Sequence, residues 1–214
     1  MCSKNRSEVA DFLKLYLIFE SSMLKLPLDE FMEQVIKGGI TAFQLRDKNV
    51  PARKRVENGK KAAEFCKVNN IPFIVNDRLD IARILAADGV HLGDKDIPLD
   101  IAGNKFGEFF YGYSCNNSDD VKHAASCNAA YIGIGPIFDT STKRDLREIL
   151  DKGKIRELAF AADIPSVGIG GINKTNVDSL KNTGLNGIAV VSAICASENP
   201  YRETRILREL VEDL

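Results

Sequence analysis

The chain has 214 residues, of which 44% are hydrophobic and 28% charged, and its net charge is -1. This composition suits one globular domain with a full core and excludes long-range disorder, a nucleic-acid surface and a basic membrane patch. No apolar run approaches the roughly 20 residues of a membrane span, the charged residues 1–11 lack the apolar core of a secretory signal, and five scattered cysteines without a CxxC pair read as reduced thiols of a cytoplasmic protein.

Strand-like and helix-like stretches alternate along the chain. After an N-terminal extension, 1–13, residues 15–19 form a compact apolar run. Leu28, Phe31, Met32, Val35 and Ile36 then recur at helical spacing until Gly38-Gly39 stops them. A second strand is predicted over 40–45, and Pro51 suits the first turn of a helix running to Asn69-Asn70. Next come a strand over 71–75, a helix over 79–87, a strand over 89–92 and a weak helical turn over 98–103. A strand over 109–113 precedes a helix capped by Ser118 and carrying Val121, Ala124 and Ala125. The pattern continues with a strand over 130–134, a helix over 143–162 and a strand over 165–169. Asn173 is read as the cap of a helix through Leu180, before a strand over 187–191. Asn199-Pro200 opens a last helix ending near Val211.

About eight such strand–helix units make an α/β fold of the (β/α)8 TIM barrel type, a single domain over 1–214. The strands are apolar throughout, as burial on both faces requires. A doubly wound sheet is disfavoured because no GxGxxG follows the first strand.

Placed on a barrel, the polar residues collect at the carboxyl ends of strands, where barrel enzymes work. Gln44, Arg46 and Lys48 alternate to one side of the second strand's end. Asn76 and Asp77 end the third strand, Asp94 and Asp96 follow the fourth, Ser114 follows the fifth, and Thr140, Ser141, Thr142 and Lys143 follow the sixth. Arg46, Lys48 and Lys143 can neutralise phosphate oxygens, while Asp77 and Asp96 are hard donors suited to Mg²⁺ on a diphosphate. Lys143 and the hydroxyls are expected to lie at a helix N-terminus, an anion-binding position. A second anion site is implied by Gly168-Ile-Gly-Gly-Ile172 and Val191-Ser192, since barrels frequently bind phosphate on backbone N–H groups of the last two loops. His91 reads as a packed, hydrogen-bonded residue, His123 as a surface residue, and Cys66 and Cys127 as core fillers.

These residues resemble the thiamine phosphate synthase family. The likeness runs from Tyr16 to about Ile194 through seven motifs in order: Gln-Leu-Arg-Asp-Lys (44–48), Val-Asn-Asp-Arg-Leu-Asp-Ile-Ala (75–82), Gly-Val-His-Leu-Gly-Asp-Lys-Asp (89–96), Gly-Tyr-Ser (112–114), Tyr-Ile-Gly-Ile-Gly-Pro-Ile-Phe-Asp-Thr-Ser-Thr-Lys (131–143), Gly-Ile-Gly-Gly-Ile (168–172) and Val-Val-Ser-Ala-Ile (190–194). The resemblance implies a transferase that joins hydroxymethylpyrimidine diphosphate to hydroxyethylthiazole phosphate, or its carboxylate, by dissociative loss of diphosphate. It implies that Gln44, Arg46, Lys48, Asn76 and Lys143 hold the pyrimidine diphosphate, that Asp77 and Asp96 carry Mg²⁺, and that Ser114 sits by the leaving group. Thr140 and Thr142 would contact the thiazole, whose phosphate would rest on N–H groups of Gly171, Val191 and Ser192. Lys143, Ser114 and Arg46 would carry the catalysis.

The sequence departs from the family at Phe19-Glu20, where Thr-Asp is usual, at Asp94, where Gln is common, and at Ala130, where an acidic residue is frequent. Alternatives are a thiazole tautomerase, which does not need the diphosphate half, a Schiff-base lyase using Lys48 or Lys143, and a non-catalytic phosphate-binding barrel. A homo-oligomer is left open.

Overall fold

Runs of four to six buried residues can satisfy their backbone polar groups only by pairing with each other, and here they pair in chain order. A computed structural model describes residues 6–140, 148–161 and 163–214. Its strands β1 (Leu15–Phe19), β2 (Ala42–Leu45), β3 (Phe73–Asn76), β4 (Gly89–Leu92), β5 (Phe110–Cys115), β6 (Tyr131–Ile134), β7 (Ser166–Ile169) and β8 (Gly187–Val190) are all parallel and close on themselves, β8 pairing β1. The helices between them are α2 (Leu28–Gly38), α3 (Ala52–Val68), α4 (Leu79–Ile84), α5 (Leu99–Lys105), α6 (Ser118–Ser126) and α7 (Lys152–Ala161). The short α8 (Ser192–Cys195) and the long α9 (Pro200–Leu210) follow β8. The expected (β/α)8 barrel is what forms.

Alternation along each strand builds two cores. Leu15, Leu17, Phe43, Leu45, Val75, Val90 and Ile188 face the helices. Tyr16, Ile18, Ala42, Ile74, Phe110, Tyr131, Val167 and Ala189 fill the barrel. Tyr16 and Tyr131 are 1% and 0% exposed, and such rings fit only where facing strands give way. A Cβ at Gly112 would stand 2.1 Å from the Tyr131 ring, so the small residue of β5 makes space for the large one of β6.

The residues read as an N-terminal extension include a helix, α1 (Arg6–Phe12). Its Val9 and Phe12, with Leu13 beyond it, belong to the interior cluster, and the Phe12 ring lies 5.5 Å from Phe110 and 6.0 Å from Tyr131. It therefore plugs the amino end of the barrel. Charge at its exposed positions hides this short apolar face from a linear reading.

Helix starts depart most from expectation. Asn117, not Ser118, caps α6, accepting from the N–H groups of Asp119 and Asp120. Of the helix expected over 143–162, residues 143–147 and 162 lie outside the described residues. Residues 148–151 are not helical, and the helix starts at Lys152, because Asp151 accepts from the Lys154 N–H at 2.8 Å and so caps it there, while Leu150 donates back to Pro136 O. Asn173 caps no α-helix. Its side chain accepts from the N–H and hydroxyl of Thr175, and only a 3-10 turn follows, Val177–Leu180.

Candidate active site

The strand ends carry two different kinds of surface. On the β2–β4 side the groups are ionic. Lys48 Nζ pairs with Asp77 Oδ2 at 2.7 Å, with side chains 41% and 21% exposed. The Asp96 carboxylate accepts from the Gly93 N–H at 2.7 Å. Burial, then the adjoining Asp77, raises the Asp96 carboxyl to about 6. A carboxylate whose ionisation a neighbouring carboxylate opposes is a place for a cation. Asp77 is held there at φ +60 in a tight turn, its N–H donating to His91 O while the Arg78 N–H donates to Asn76 O. Nearby, the Asn76 side-chain Nδ2 is buried with no hydrogen-bond partner among the described residues. A buried amide donor left unmade is costly, and a ligand oxygen would satisfy it.

Arg46 bridges this half to the next. Its guanidinium pairs with Glu20, whose side chain is 3% exposed, and burial lowers its proton affinity while Asp77 raises it. Glu20, one of the departures from the family pattern, anchors Arg46. Asp47, which sequence reasoning passed over, is 1% exposed. It accepts from the Ser21 N–H at 2.5 Å and Asn58 Nδ2 at 3.0 Å, and Arg55 donates to the carbonyls of Asp47 and Lys48. That web fixes the loop between Arg46 and Lys48. Its signal in the sequence was a charged residue at a helix-facing position of the strand's alternation.

On the β5–β8 side a pocket is lined by Arg46, Asp94, Ser114, Pro136, Thr140, Gly170, Gly171, Val191 and Ser192, among others. Gly133, Gly135, Gly170 and Gly171 expose backbone in its lining. Gly170 and Gly171 adopt φ +105 and +64, and a Cβ on Gly171 would meet Asp139 O at 2.4 Å. The loop is tied down on both sides: the Phe138 N–H donates to Gly170 O, and Asn176 Nδ2 to Gly171 O at 2.9 Å. The structure thus brings Ser114, Thr140, Gly171, Val191 and Ser192 to one pocket with Arg46, and clusters Lys48, Asp77 and Asp96 beside it. Thr142 and Lys143 lie outside the described residues.

Gln44 sits deeper than expected. It is 1% exposed and its Nε2 donates to the Tyr16 hydroxyl at 2.7 Å. His91 is packed and hydrogen-bonded as read, with Nδ1 3.0 Å from the Tyr131 hydroxyl and Nε2 3.0 Å from Ser114 Oγ. His123 is exposed, Cys66 is fully buried, and Cys127 lies half-buried at the edge of the core. No helix among the described residues is long and apolar enough to cross a membrane.

Comparison with known proteins identifies the family. The family model described as thiamine monophosphate synthase matches residues 15–194. The thiamine-phosphate synthase of Clostridium novyi is 40% identical over 92% of this chain and 98% of its own length, and that of Anoxybacillus flavithermus is 39% identical over 93% and 94%. The solved structure of thiamine phosphate pyrophosphorylase from Pyrococcus furiosus superposes with a TM-score of 0.87 at 34% identity, covering 95% of this chain and 98% of that one. The chain belongs to the thiamine monophosphate synthase family.

Proposed function

We propose that this active site joins hydroxymethylpyrimidine diphosphate to hydroxyethylthiazole phosphate, giving thiamine phosphate and pyrophosphate. The C–O bond from the pyrimidine methylene to the diphosphate breaks, both electrons leaving with oxygen. The thiazole nitrogen then gives its lone pair to the methylene carbon, forming the C–N bond. No proton moves, so the site needs to stabilise a leaving group and exclude water more than it needs a base.

The observation that carries this reading is the division of the barrel mouth into an ionic half and a backbone half that share Arg46. The Asp77–Asp96 pair fits Mg²⁺ because Asp77 hinders the ionisation of half-buried Asp96, which a divalent ion would relieve. Bound there with substrate phosphates, Mg²⁺ would supply charge neutralisation for the diphosphate. Arg46, Lys48 and the unpaired amide of Asn76 would hold that group's oxygens, and by family position Gln44 would hold the pyrimidine and Lys143 the departing oxygens. Gly171, Val191 and Ser192 would offer N–H groups to the thiazole phosphate, with Thr140 and Thr142 at the thiazole. The tautomerase reading leaves the ionic half without work, since proton transfer on a thiazole needs no diphosphate site. Free thiols in the four described cysteines fit a cytoplasmic enzyme.

The test is incubation of the pure protein with both substrates and Mg²⁺, with mass detection of products. Thiamine phosphate and pyrophosphate in equal amounts are expected; rearrangement of the thiazole substrate alone would replace this reading with the tautomerase.

A further inference from the structure

A chain of hydrogen bonds crosses the barrel interior and ends at Ser114. Gln44 Nε2 donates to the Tyr16 hydroxyl at 2.7 Å, that hydroxyl lies 2.7 Å from the Tyr131 hydroxyl, Tyr131 lies 3.0 Å from His91 Nδ1, and His91 Nε2 lies 3.0 Å from Ser114 Oγ. The strands are registered for it. His91 pairs with Gly112 and Gly112 with Tyr131, and the missing Cβ at Gly112 is what lets the Tyr131 ring pass beneath His91. The two rings lie 5.5 Å apart at 34°.

The donors and acceptors set a direction. An amide N–H can only donate, so Tyr16 receives from Gln44 and its own hydrogen is free for Tyr131. Tyr131 then donates to His91 Nδ1. A neutral imidazole that accepts at Nδ1 carries its hydrogen on Nε2, and so donates to Ser114 Oγ. Burial holds both phenols well above their ordinary titration range, so neither link is lost by ionisation. Ser114, already receiving a hydrogen bond from His91, keeps its own hydrogen for the pocket, whose wall it forms.

We propose that Gln44, Tyr16, Tyr131 and His91 form a one-way hydrogen-bond relay that presents the Ser114 hydroxyl as a donor to the departing diphosphate. Tyr131 and His91 are positioning residues for that donor. The inference rests on the reaction proposed above and extends it. A free serine hydroxyl rotates among several partners, whereas a donor aimed at charge that grows in the transition state must be oriented beforehand. With the Gln44 amide turned over, every hydrogen would run the other way and Ser114 would donate inward, to His91.

Two measurements test this. The chain holds two histidines, so nitrogen-15 spectra of the substrate-free protein, compared with those of His91→Gln, assign both rings. A hydrogen on Nε2 and none on Nδ1 of His91 is expected; the opposite tautomer overturns the relay. The second is a double-mutant cycle on kcat. Ser114→Ala should lower kcat by about 10²-fold, and Tyr131→Phe, which keeps the ring, by about 10-fold with both KM values little changed. The double variant should be no slower than Ser114→Ala alone, because a relay without its end has nothing to position. Multiplying losses would mean that Tyr131 acts only through stability, and would overturn the proposal. Should Tyr131→Phe fail to fold, Tyr16→Phe breaks the same chain one link earlier and is read in the same cycle. The spectra need no substrate: the expected tautomer in a protein that makes no thiamine phosphate would overturn the assigned reaction and with it the donor role of Ser114, not the direction of the chain.

Discussion

The two halves of the barrel mouth are built of different materials, and in the proposed reaction each would hold a phosphate. The β2–β4 side offers side-chain charge: Lys48, Asp77, Asp96 and, at the seam, Arg46. On the β7–β8 side the proposed reaction would meet its phosphate with backbone shaped by Gly170 and Gly171 at positive φ. Side-chain charge is strong and tunable and attracts a metal. Backbone N–H groups are weaker singly but cost no side-chain entropy and hold one geometry. A leaving group whose charge grows suits the first, and a phosphate that only anchors its substrate suits the second.

Variants can break this contrast. The largest effect is expected from Lys143→Ala, which should lower kcat by about 10²–10³ while leaving thiazole phosphate binding near wild type; steady-state kinetics against each substrate reads it. Gly171→Ala strikes the other half. Its Cβ would stand 2.4 Å from Asp139 O and 2.8 Å from Phe138 Cβ at φ +64, so the loop itself must shift. The expected outcome is a thiazole phosphate KM raised by tens of fold and a stability loss of about 1–3 kcal/mol in denaturant unfolding, with diphosphate KM little changed. Because the neighbours are protein atoms, the substitution acts by displacing the loop more than by filling the ligand's space.

Smaller effects sharpen the ionic half. Asp96→Asn should raise the Mg²⁺ concentration for half-maximal rate by about 10-fold or more, measured by metal titration. The acidity of Asp96 gives a pH signature. Its folded value of about 6 lies above that of an unfolded carboxyl, so the proton favours the folded state. That contribution is full below about pH 4 and is lost as pH rises through about 6. In EDTA, wild-type melting temperature should fall by a few degrees over that window relative to Asp96→Asn, which should lack the step. Adding Mg²⁺ should restore stability at pH 7 and do little at pH 4.5. A wild-type curve parallel to that of the variant would contradict the paired carboxylates.

The sequence made the ionic half legible and left the backbone half half-read. Arg46, Lys48, Asp77 and Asp96 declare themselves because charge at the end of an apolar run has few other uses. Gly171 could be seen as special, but only the fold shows that Asp139 and Phe138 press on it. All eight strands were visible, since double burial makes each an apolar run. Helix starts were not: Asn117 caps where Ser118 looked eligible, and Asp151 caps at a point the expected helix was to run through, because several polar residues compete and tertiary tethers such as Leu150 to Pro136 decide. The Tyr16–Tyr131 link was invisible for another reason. Its partners lie on distant strands, and no local spacing encodes them. Asp47 showed only as a charge at a helix-facing position, and its partner Asn58 waits on the following helix.

The division of labour is tested most directly by calorimetric titration of the wild-type protein with pyrophosphate and with hydroxyethylthiazole phosphate, each in EDTA and in Mg²⁺. The account predicts that pyrophosphate binding tightens sharply with Mg²⁺, through Asp77 and Asp96, while thiazole phosphate binds the backbone half equally well in both. Equal metal dependence for the two ligands, or none for either, would contradict it.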